Sequence, residues 1–190
     1  MKMRVIVWQT DLTHDGVDEW IEVDLNGVST SVTGEEETVR IYPGKSGNGD
    51  PIWSAHADVV HIGWNGIYIY INPEDGLSYL FIWKPTMYQG IATYQYRIFS
   101  LNEEGKEKIL EEGNIDFDLN HVQEGDAERV EAYLNHVNKI LRDSFVLIDT
   151  NNGAFYFSKT GMPVTKEFDT ATLISTIREL EAEQAKNKIL

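Results

Sequence analysis

Strand-like segments separated by turn-forming dipeptides dominate the chain between residues 59 and 119. Of the 21 aromatic residues in the sequence, 11 lie between Trp53 and Phe99, so this region holds an aromatic core or an aromatic surface. Asn-Gly pairs and similar glycine-containing dipeptides allow the backbone reversals that join antiparallel strands. The rhythm therefore predicts an antiparallel meander, with turn signals at Asn65-Gly66, residues 72–76, Glu104-Gly105 and Glu112-Gly113.

Shorter strands are predicted before this meander. Residues 3–9 and 18–25 are rich in β-branched and aromatic residues, and the second segment alternates with period two. We expect these two strands to form a hairpin around the acidic segment between them. A further strand is predicted over 38–42, followed by a Gly-rich loop over 43–51 that residues 52–54 close.

Two amphipathic helices are predicted in the C-terminal part. Apolar residues recur at helical spacing between 127 and 142, with Asp126 as the expected N-cap, and Asp169 is expected to cap a last helix. Two strand-like segments on either side of residues 151–153 predict one more hairpin between the helices.

The predicted fold class is α+β, mostly an antiparallel β meander with two C-terminal amphipathic helices. At 190 residues, the chain has a length that suits one domain, 1–190, with a single substantial core. We expect residues 1–120 to form the β-rich part and residues 121–190 to form a helix-hairpin-helix part packed on it.

The chain is strongly acidic: 16 Lys and Arg residues against 31 Asp and Glu residues give a net charge of −15. Such a charge opposes binding to nucleic acid or to an anionic membrane leaflet, because both depend on cationic contacts. Eleven acids and only three Lys or Arg residues lie in residues 101–135. That segment is either a solvated face or a docking surface for a basic partner. No apolar run in the sequence is long enough to span a membrane.

Residues 11–20 carry oxygen-bearing side chains at alternate positions, followed by a glycine. Alternation lets side chains converge on one cation, and the glycine permits the sharp turn that a calcium loop needs. Threonine, at position 13, is a poorer calcium ligand than Asp or Asn. The alternative to a calcium loop is an Asp-Gly hairpin turn whose acids only solvate the loop. The candidate ligands are Asp11, Thr13 and Asp15 at alternating places, the carbonyl of Val17, and Glu19 at the ninth place.

Aromatic residues form the second group with functional potential. Rings two residues apart on a strand share one face, which would suit stacking on a sugar or gripping a peptide. The alternative is that these rings fill the core of a β-rich domain. The candidate ligand-binding residues are Trp64, Tyr68, Tyr70, Trp83, Tyr88, Tyr94 and Tyr96.

No catalytic motif stands out. The chain has no cysteine, which removes thiol nucleophiles and zinc–thiolate sites. It also lacks the G-x-S-x-G, S-x-x-K and P-loop patterns, and its histidines do not have the spacing of a transition-metal site. The sequence therefore favours a non-enzymatic function.

The segment 11–25 resembles the calcium-loop strand pair of the FG-GAP/VCBS type of β-propeller repeat, and 39–54 resembles the later strands of the same blade. Residues 53–120 also resemble a group of uncharacterised bacterial proteins, often exported or lipid-anchored, whose activity does not carry over. The resemblance implies a calcium site at Asp11, Thr13, Asp15 and Glu19, with Asp18 as an alternate ligand. It also implies an extracytoplasmic setting, where millimolar calcium fills a weak site. Because one blade cannot close a propeller, the blade is expected within a different sheet, capped by the two helices.

Together these features predict a non-enzymatic, extracytoplasmic binding or interaction module with a structural calcium loop. The expected partner is a protein or a glycan, not nucleic acid. The alternative function is a metal-dependent hydrolase that uses the same acidic loop, and the alternative location is the cytoplasm.

Overall fold

The computed structural model describes residues 5–24, 38–56, 64–151 and 160–187. Within these ranges the chain forms nine strands and two helices, and neither helix is long and apolar enough to cross a membrane. The strands are β1 (Val5–Thr10), β2 (Glu19–Asp24), β3 (Val39–Tyr42), β4 (Trp53–Ala55), β5 (Trp64–Ile71), β6 (Ser78–Tyr88), β7 (Ile91–Leu101), β8 (Glu107–Asp118) and β9 (Ser144–Asn151). The helices are α1 (Asp126–Arg142) and α2 (Thr170–Asn187).

The predicted α+β class, with antiparallel strands and two C-terminal helices, is confirmed. The first four strands form one sheet in the order β1-β2-β3-β4, and each neighbouring pair is antiparallel. β1 and β2 make the expected hairpin around the acidic segment, with Thr10 opposite Glu19. Along β2, buried and half-buried residues alternate, so Ile21 and Val23 face a core on one side of this sheet.

The other five strands form a second antiparallel sheet in the order β8-β7-β6-β5-β9. β5 to β8 run as the predicted meander, and β9 returns after α1 to pair with β5 at the opposite edge from β8. In β6, Leu80 and Phe81 are both fully buried although they point to opposite faces. This sheet therefore needs apolar cover on both sides.

Two of the four expected turns lie inside strands instead. Asn65-Gly66 is part of β5 and Glu112-Gly113 is part of β8. In both places the missing side chain makes room for a tyrosine ring: a Cβ on Gly66 would lie 2.4 Å from Tyr68, and one on Gly113 would lie 2.6 Å from Tyr96. These glycines therefore allow ring packing rather than chain reversal. The other two signals are turns, as expected.

Three layers result, with the five-stranded sheet in the middle. One core lies between the two sheets and includes Ile21, Ile41 and Phe99. A second core lies between the five-stranded sheet and the helices and includes Trp83 and Leu134. The expectation that the helices cap the blade-like strands is therefore wrong: those strands form their own sheet, and the five-stranded sheet separates it from α1 and α2. Because Leu80 and Phe81 are buried on opposite faces of the middle sheet, each face takes an apolar cover at this position.

The start of α1 also differs from expectation. The N-cap is Gly125, with φ of 88°, and Asp126 is the first helical residue. The Asp126 carboxylate accepts the backbone N–H of Gln123 at 2.8 Å instead of capping the helix amides. The N–H of Ala127 donates to the side chain of Glu181 on α2 at 3.1 Å. A neighbouring helix thus replaces the expected local cap.

Two further expectations concern the N-cap of α2 and the last predicted hairpin. Asp169 accepts the N–H of Ala171 at 3.1 Å, as expected of the N-cap of α2. β9 matches the first strand of the last predicted hairpin. The turn and second strand of that hairpin, in residues 152–159, lie outside the described residues, as does the start of the long meander at 59–63.

Candidate metal centre and open sheet face

The acidic loop, residues 11–19, joins β1 to β2. Its backbone takes positive φ angles at His14, 61°, and at Gly16, 87°. Glycine adopts such angles without steric cost, which is the freedom that the sequence pattern predicted for this position. The two left-handed residues fold the loop back on itself, so that side chains at alternate places approach one another.

Three carboxylates converge inside this fold. One oxygen each of Asp11, Asp15 and Glu19 lies within 4.8 Å of the others. Calcium binds oxygen at about 2.3–2.6 Å, so ligands on opposite sides of one ion lie roughly 4.6–5.2 Å apart. The spread of the three oxygens therefore fits one calcium ion. Carboxylates this close also repel one another, and a bound cation would remove that repulsion.

The same carboxylates accept hydrogen bonds from the loop backbone. Asp11 accepts the N–H groups of His14 at 2.7 Å and of Gly16 at 2.9 Å, and Asp15 accepts the N–H of Val17 at 2.8 Å. An ionised carboxylate has about four lone-pair sites, so these bonds leave acceptor capacity for a cation. Hydrogen bonds from backbone N–H groups are expected in a plain hairpin turn and in a metal loop alike, so they do not distinguish the two.

Glu19 is the buried member of the group, with 3 % of its surface exposed. Its Oε2 accepts the N–H of Leu12 at 2.6 Å and of Thr13 at 3.1 Å, and its Oε1 accepts the Thr13 hydroxyl at 3.0 Å. Burial raises the pKa of Glu19 above its usual value, although these three bonds act in the opposite direction. A buried carboxylate held in a polar cage gains more from a neighbouring cation than an exposed one does.

The loop is bonded to the five-stranded sheet as well as to its own. The carbonyl of Leu12 accepts the N–H of Leu101 at 2.9 Å. His14 Nε2 lies 2.8 Å from the carbonyl oxygen of Ser78, which can only accept, so Nε2 carries the proton. The His14 ring packs edge-on against Tyr79, with centroids 4.9 Å apart. An ion that fixes the loop would therefore also fix the junction between the two sheets.

The other predicted metal ligands are Thr13, Val17 and Asp18, which lie outside the group of three carboxylates. Thr13 places its hydroxyl beside Glu19, next to the carboxylate group. Asp18 and Val17 are exposed, and Asp18 is not part of the carboxylate group. Glu22 stands where an EF-hand loop carries its bidentate glutamate, but it accepts the indole N–H of Trp20 at 3.2 Å instead.

Most of the candidate aromatic residues lie in the core between the five-stranded sheet and the helices. Tyr68, Trp83, Tyr94 and Tyr96 are 0–8 % exposed, and their rings offer no face to a ligand. Burial raises the pKa of Tyr94 to about 12. Tyr70 is partly buried against the same core, and the side chain of Trp64 lies outside the described residues. Tyr88 is the member of the group with a well exposed ring, at 63 %.

A polar groove of about 730 Å³ lies beside the end of β4, on the face of the five-stranded sheet that looks toward the four-stranded one. Its volume is in the range of ligand sites, about 300–1,000 Å³. Sequence reasoning did not find this groove, because its residues come from four strands and only alternate positions of each face it. The lining side chains used below are Ile82, Lys84, Gln95, Arg97, Glu112 and Asn114.

A second polar cluster joins β8 to α1. The Tyr96 hydroxyl donates to Glu111 Oε1 at 2.5 Å, and His136 Nε2 contacts the same oxygen. Burial acts to raise the pKa of Glu111, but these two hydrogen bonds outweigh it, so the pKa is lowered. The same hydrogen bond adds to burial in raising the pKa of Tyr96. All three polar groups are used in this contact, which fastens the helix to the sheet edge.

Comparison with known proteins gives no relative from which to transfer a function. No protein-family model matches the chain, and no significant match is found among curated proteins or solved structures.

Proposed function

We propose that this protein is a non-enzymatic binding or interaction module whose acidic loop holds one structural calcium ion. The observation that carries the proposal is the convergence of Asp11, Asp15 and Glu19 within 4.8 Å. Thr13 and the carbonyl of Val17 would supply or support further oxygens, because calcium takes six to eight ligands.

The role of the ion in this proposal is structural. The loop contacts Leu101 and Ser78 on the five-stranded sheet, so fixing the loop also fixes the sheet junction. When bound, calcium supplies positive charge that offsets the repulsion among three close carboxylates. The chain's own residues orient the loop through the amide bonds to Asp11 and the cage around Glu19.

The likeness of residues 11–54 to a propeller blade of the FG-GAP/VCBS type belongs to the same proposal. In its support, β1 to β4 form a four-stranded antiparallel meander with the acidic loop between the first two strands. Propeller blades are four-stranded sheets of this kind. We further propose an extracytoplasmic location, where millimolar calcium would occupy a site of modest affinity.

The alternative, a metal-dependent hydrolase, has less support. Hydrolysis needs an open metal position and a base near it. His14 is the histidine within the loop, and its Nε2 is held by the Ser78 carbonyl. Turnover of ester, phosphodiester or glycoside substrates that requires calcium and is lost in Asp15→Asn would replace the binding module with this alternative.

Thermal melting in EDTA and in 10 mM calcium tests the metal part of the proposal. Free calcium at 100 times its dissociation constant adds about 2.7 kcal/mol, which for a chain of this size raises the melting temperature by roughly 5–10 °C. Asp15→Asn should remove that increase. The matched control is Asp18→Asn, an exposed neighbour outside the carboxylate group, which should retain it. Equal melting temperatures with and without calcium would refute the metal site.

A further inference from the structure

Beyond the groove, the residues that the structure describes leave one face of the five-stranded sheet uncovered, and we call it the open face. Strand pairing places Lys84, Gln95 and Asn114 side by side in one row across β6, β7 and β8. The preceding row is Ile82, Arg97 and Glu112, and the following row is Thr86, Thr93 and Asp116. All nine side chains point away from the helices, because residues at alternate positions share a face.

Some of the charged groups on this face are already used. Arg97 forms an ion pair with Glu107 at 3.0 Å and lies over the ring of Phe99 at 5.1 Å. Asp116 accepts the Thr93 hydroxyl at 2.7 Å through one oxygen, which leaves its other oxygen available.

Three side chains on the open face have unused capacity. Gln95, Glu112 and Asn114 line the groove and make no side-chain hydrogen bond or ion pair with the rest of the described chain. Two primary amides beside a carboxylate offer donors and acceptors for a peptide backbone and an anion for a cationic side chain. Asn114 lies between Glu112 and Asp116 along β8, and Gln95 lies beside Asn114 on β7, so the two amides occupy the row between the two carboxylates.

Lys84 and Arg97 on this face have interactions of their own, so the charges left for a ligand are those of Glu112 and Asp116, and charge complementarity selects a cationic occupant. The whole chain carries −15, and residues 101–135, which include β8, hold eleven acids and three Lys or Arg residues. Glu112 and Asp116 are both exposed and lie on one face of β8, four residues apart. At about 3.4 Å per residue they are separated by roughly 13–14 Å. In an extended peptide, side chains at positions i and i+4 share a face and have the same separation.

We propose that the open face binds an extended, basic segment of a partner protein. Two cationic side chains at i and i+4 pair with Glu112 and Asp116, and Gln95 and Asn114 hydrogen-bond the segment's backbone between them. This proposal rests on the proposed binding function and names its surface and partner class.

Two synthetic peptides of identical composition test the spacing. Both are rich in threonine and valine, which favour the extended form; one carries lysines at i and i+4 and the other at i and i+3. Binding is measured by fluorescence anisotropy in low and in moderate salt. The i,i+4 peptide should bind about fivefold or more tightly, because the i,i+3 isomer directs one lysine away from the face.

Two double variants locate the contact. Glu112→Gln with Asp116→Asn should weaken the i,i+4 peptide about fivefold or more, while asparagine still accepts from Thr93. Glu103→Gln with Glu104→Gln removes the same charge from an exposed turn and should change binding less than twofold. Unchanged thermal melts of both variants verify that they are folded.

Each result either supports or overturns the assignment. Equal binding of the two peptides, or equal losses in the two double variants, would show general charge attraction and overturn it. No peptide binding, or binding of a neutral glycan that Glu112→Gln abolishes, would overturn it as well. A calcium-dependent melt that persists in those cases would leave the calcium module standing, so the two proposals fail separately.

Discussion

Replacing Glu19 perturbs the acidic loop at its buried carboxylate, and the contacts of that carboxylate set the expected loss of stability. The carboxylate is 3 % exposed and accepts two backbone N–H groups and one hydroxyl. Hydrogen bonds to a charged acceptor contribute about 1.5–3 kcal/mol each, and a buried N–H left unpaired costs about 1–3 kcal/mol. Because such terms are not additive, we expect Glu19→Ala to lower the free energy of unfolding by about 3 kcal/mol.

Glu19→Gln separates the contribution of the hydrogen-bonded turn to stability from the contribution of the metal. Glutamine keeps the shape and one acceptor oxygen, so the two backbone amides retain a partner but lose its charge. Because burial disfavours the charge of Glu19, as its raised pKa indicates, we expect Glu19→Gln to change the free energy of unfolding by less than about 1 kcal/mol in EDTA. In calcium the difference from the wild type should widen, because the variant also loses most of the calcium increment of about 2.7 kcal/mol.

Urea unfolding at pH 7, with and without calcium, measures both effects. Asp18→Asn is the control and should stay within about 0.5 kcal/mol of the wild type. If Glu19→Ala costs less than about 1 kcal/mol in EDTA, the buried cage contributes little to stability. If Glu19→Gln retains the full calcium increment, Glu19 is not a ligand.

Three further predictions concern the acid and the fold. In EDTA, the stability of the wild type relative to Glu19→Gln should rise on acidification. Burial raises the pKa of Glu19, so its contribution to stability is complete below its ordinary pKa of 4.5 and is lost as pH rises through the folded pKa. A difference in urea unfolding that does not change with pH would contradict this. Gly105→Ala should lower the free energy of unfolding by more than 3 kcal/mol, since φ is 78° and a Cβ would lie 1.8 Å from the carbonyl oxygen of Ile52. Its control is Gly76→Ala, which has a similar φ of 71° but open space around the new Cβ and should cost only about 1–2 kcal/mol. Asn138→Ala removes two hydrogen bonds to the backbone of Phe168, at 3.0 and 2.7 Å, and should cost about 2–3 kcal/mol by calorimetry; a loss below 0.5 kcal/mol would contradict this role.

The secondary structure was largely predictable because its signals are local. Alternation in residues 18–25 and helical spacing in 127–142 each depend on one segment, and both elements form. Gly66 and Gly113 are positions where prediction from the local sequence was wrong. Each looks like a turn residue, yet each lies inside a strand because a tyrosine ring occupies the space of the missing side chain.

The division into two sheets was not predictable from the same patterns. Period-two alternation tells which residues share a face, but not which sheet covers that face. The open face has the same origin: Gln95 and Asn114 are polar residues of ordinary strands, and only strand pairing brings them together. The acidic loop was predictable as a unit, because its ligand candidates are close in sequence. Only the fold shows that Glu19 is buried, whereas Asp18 is exposed and lies outside the carboxylate group.

A crystal structure of the protein grown in 10 mM calcium tests the central claim most directly. The account predicts an anomalous peak about 2.3–2.6 Å from oxygens of Asp11, Asp15 and Glu19, lost in crystals of Asp15→Asn. Clear density for the loop with the three carboxylates bonded only to backbone amides and water, and no such peak, would show that residues 11–19 are a hairpin turn without a metal.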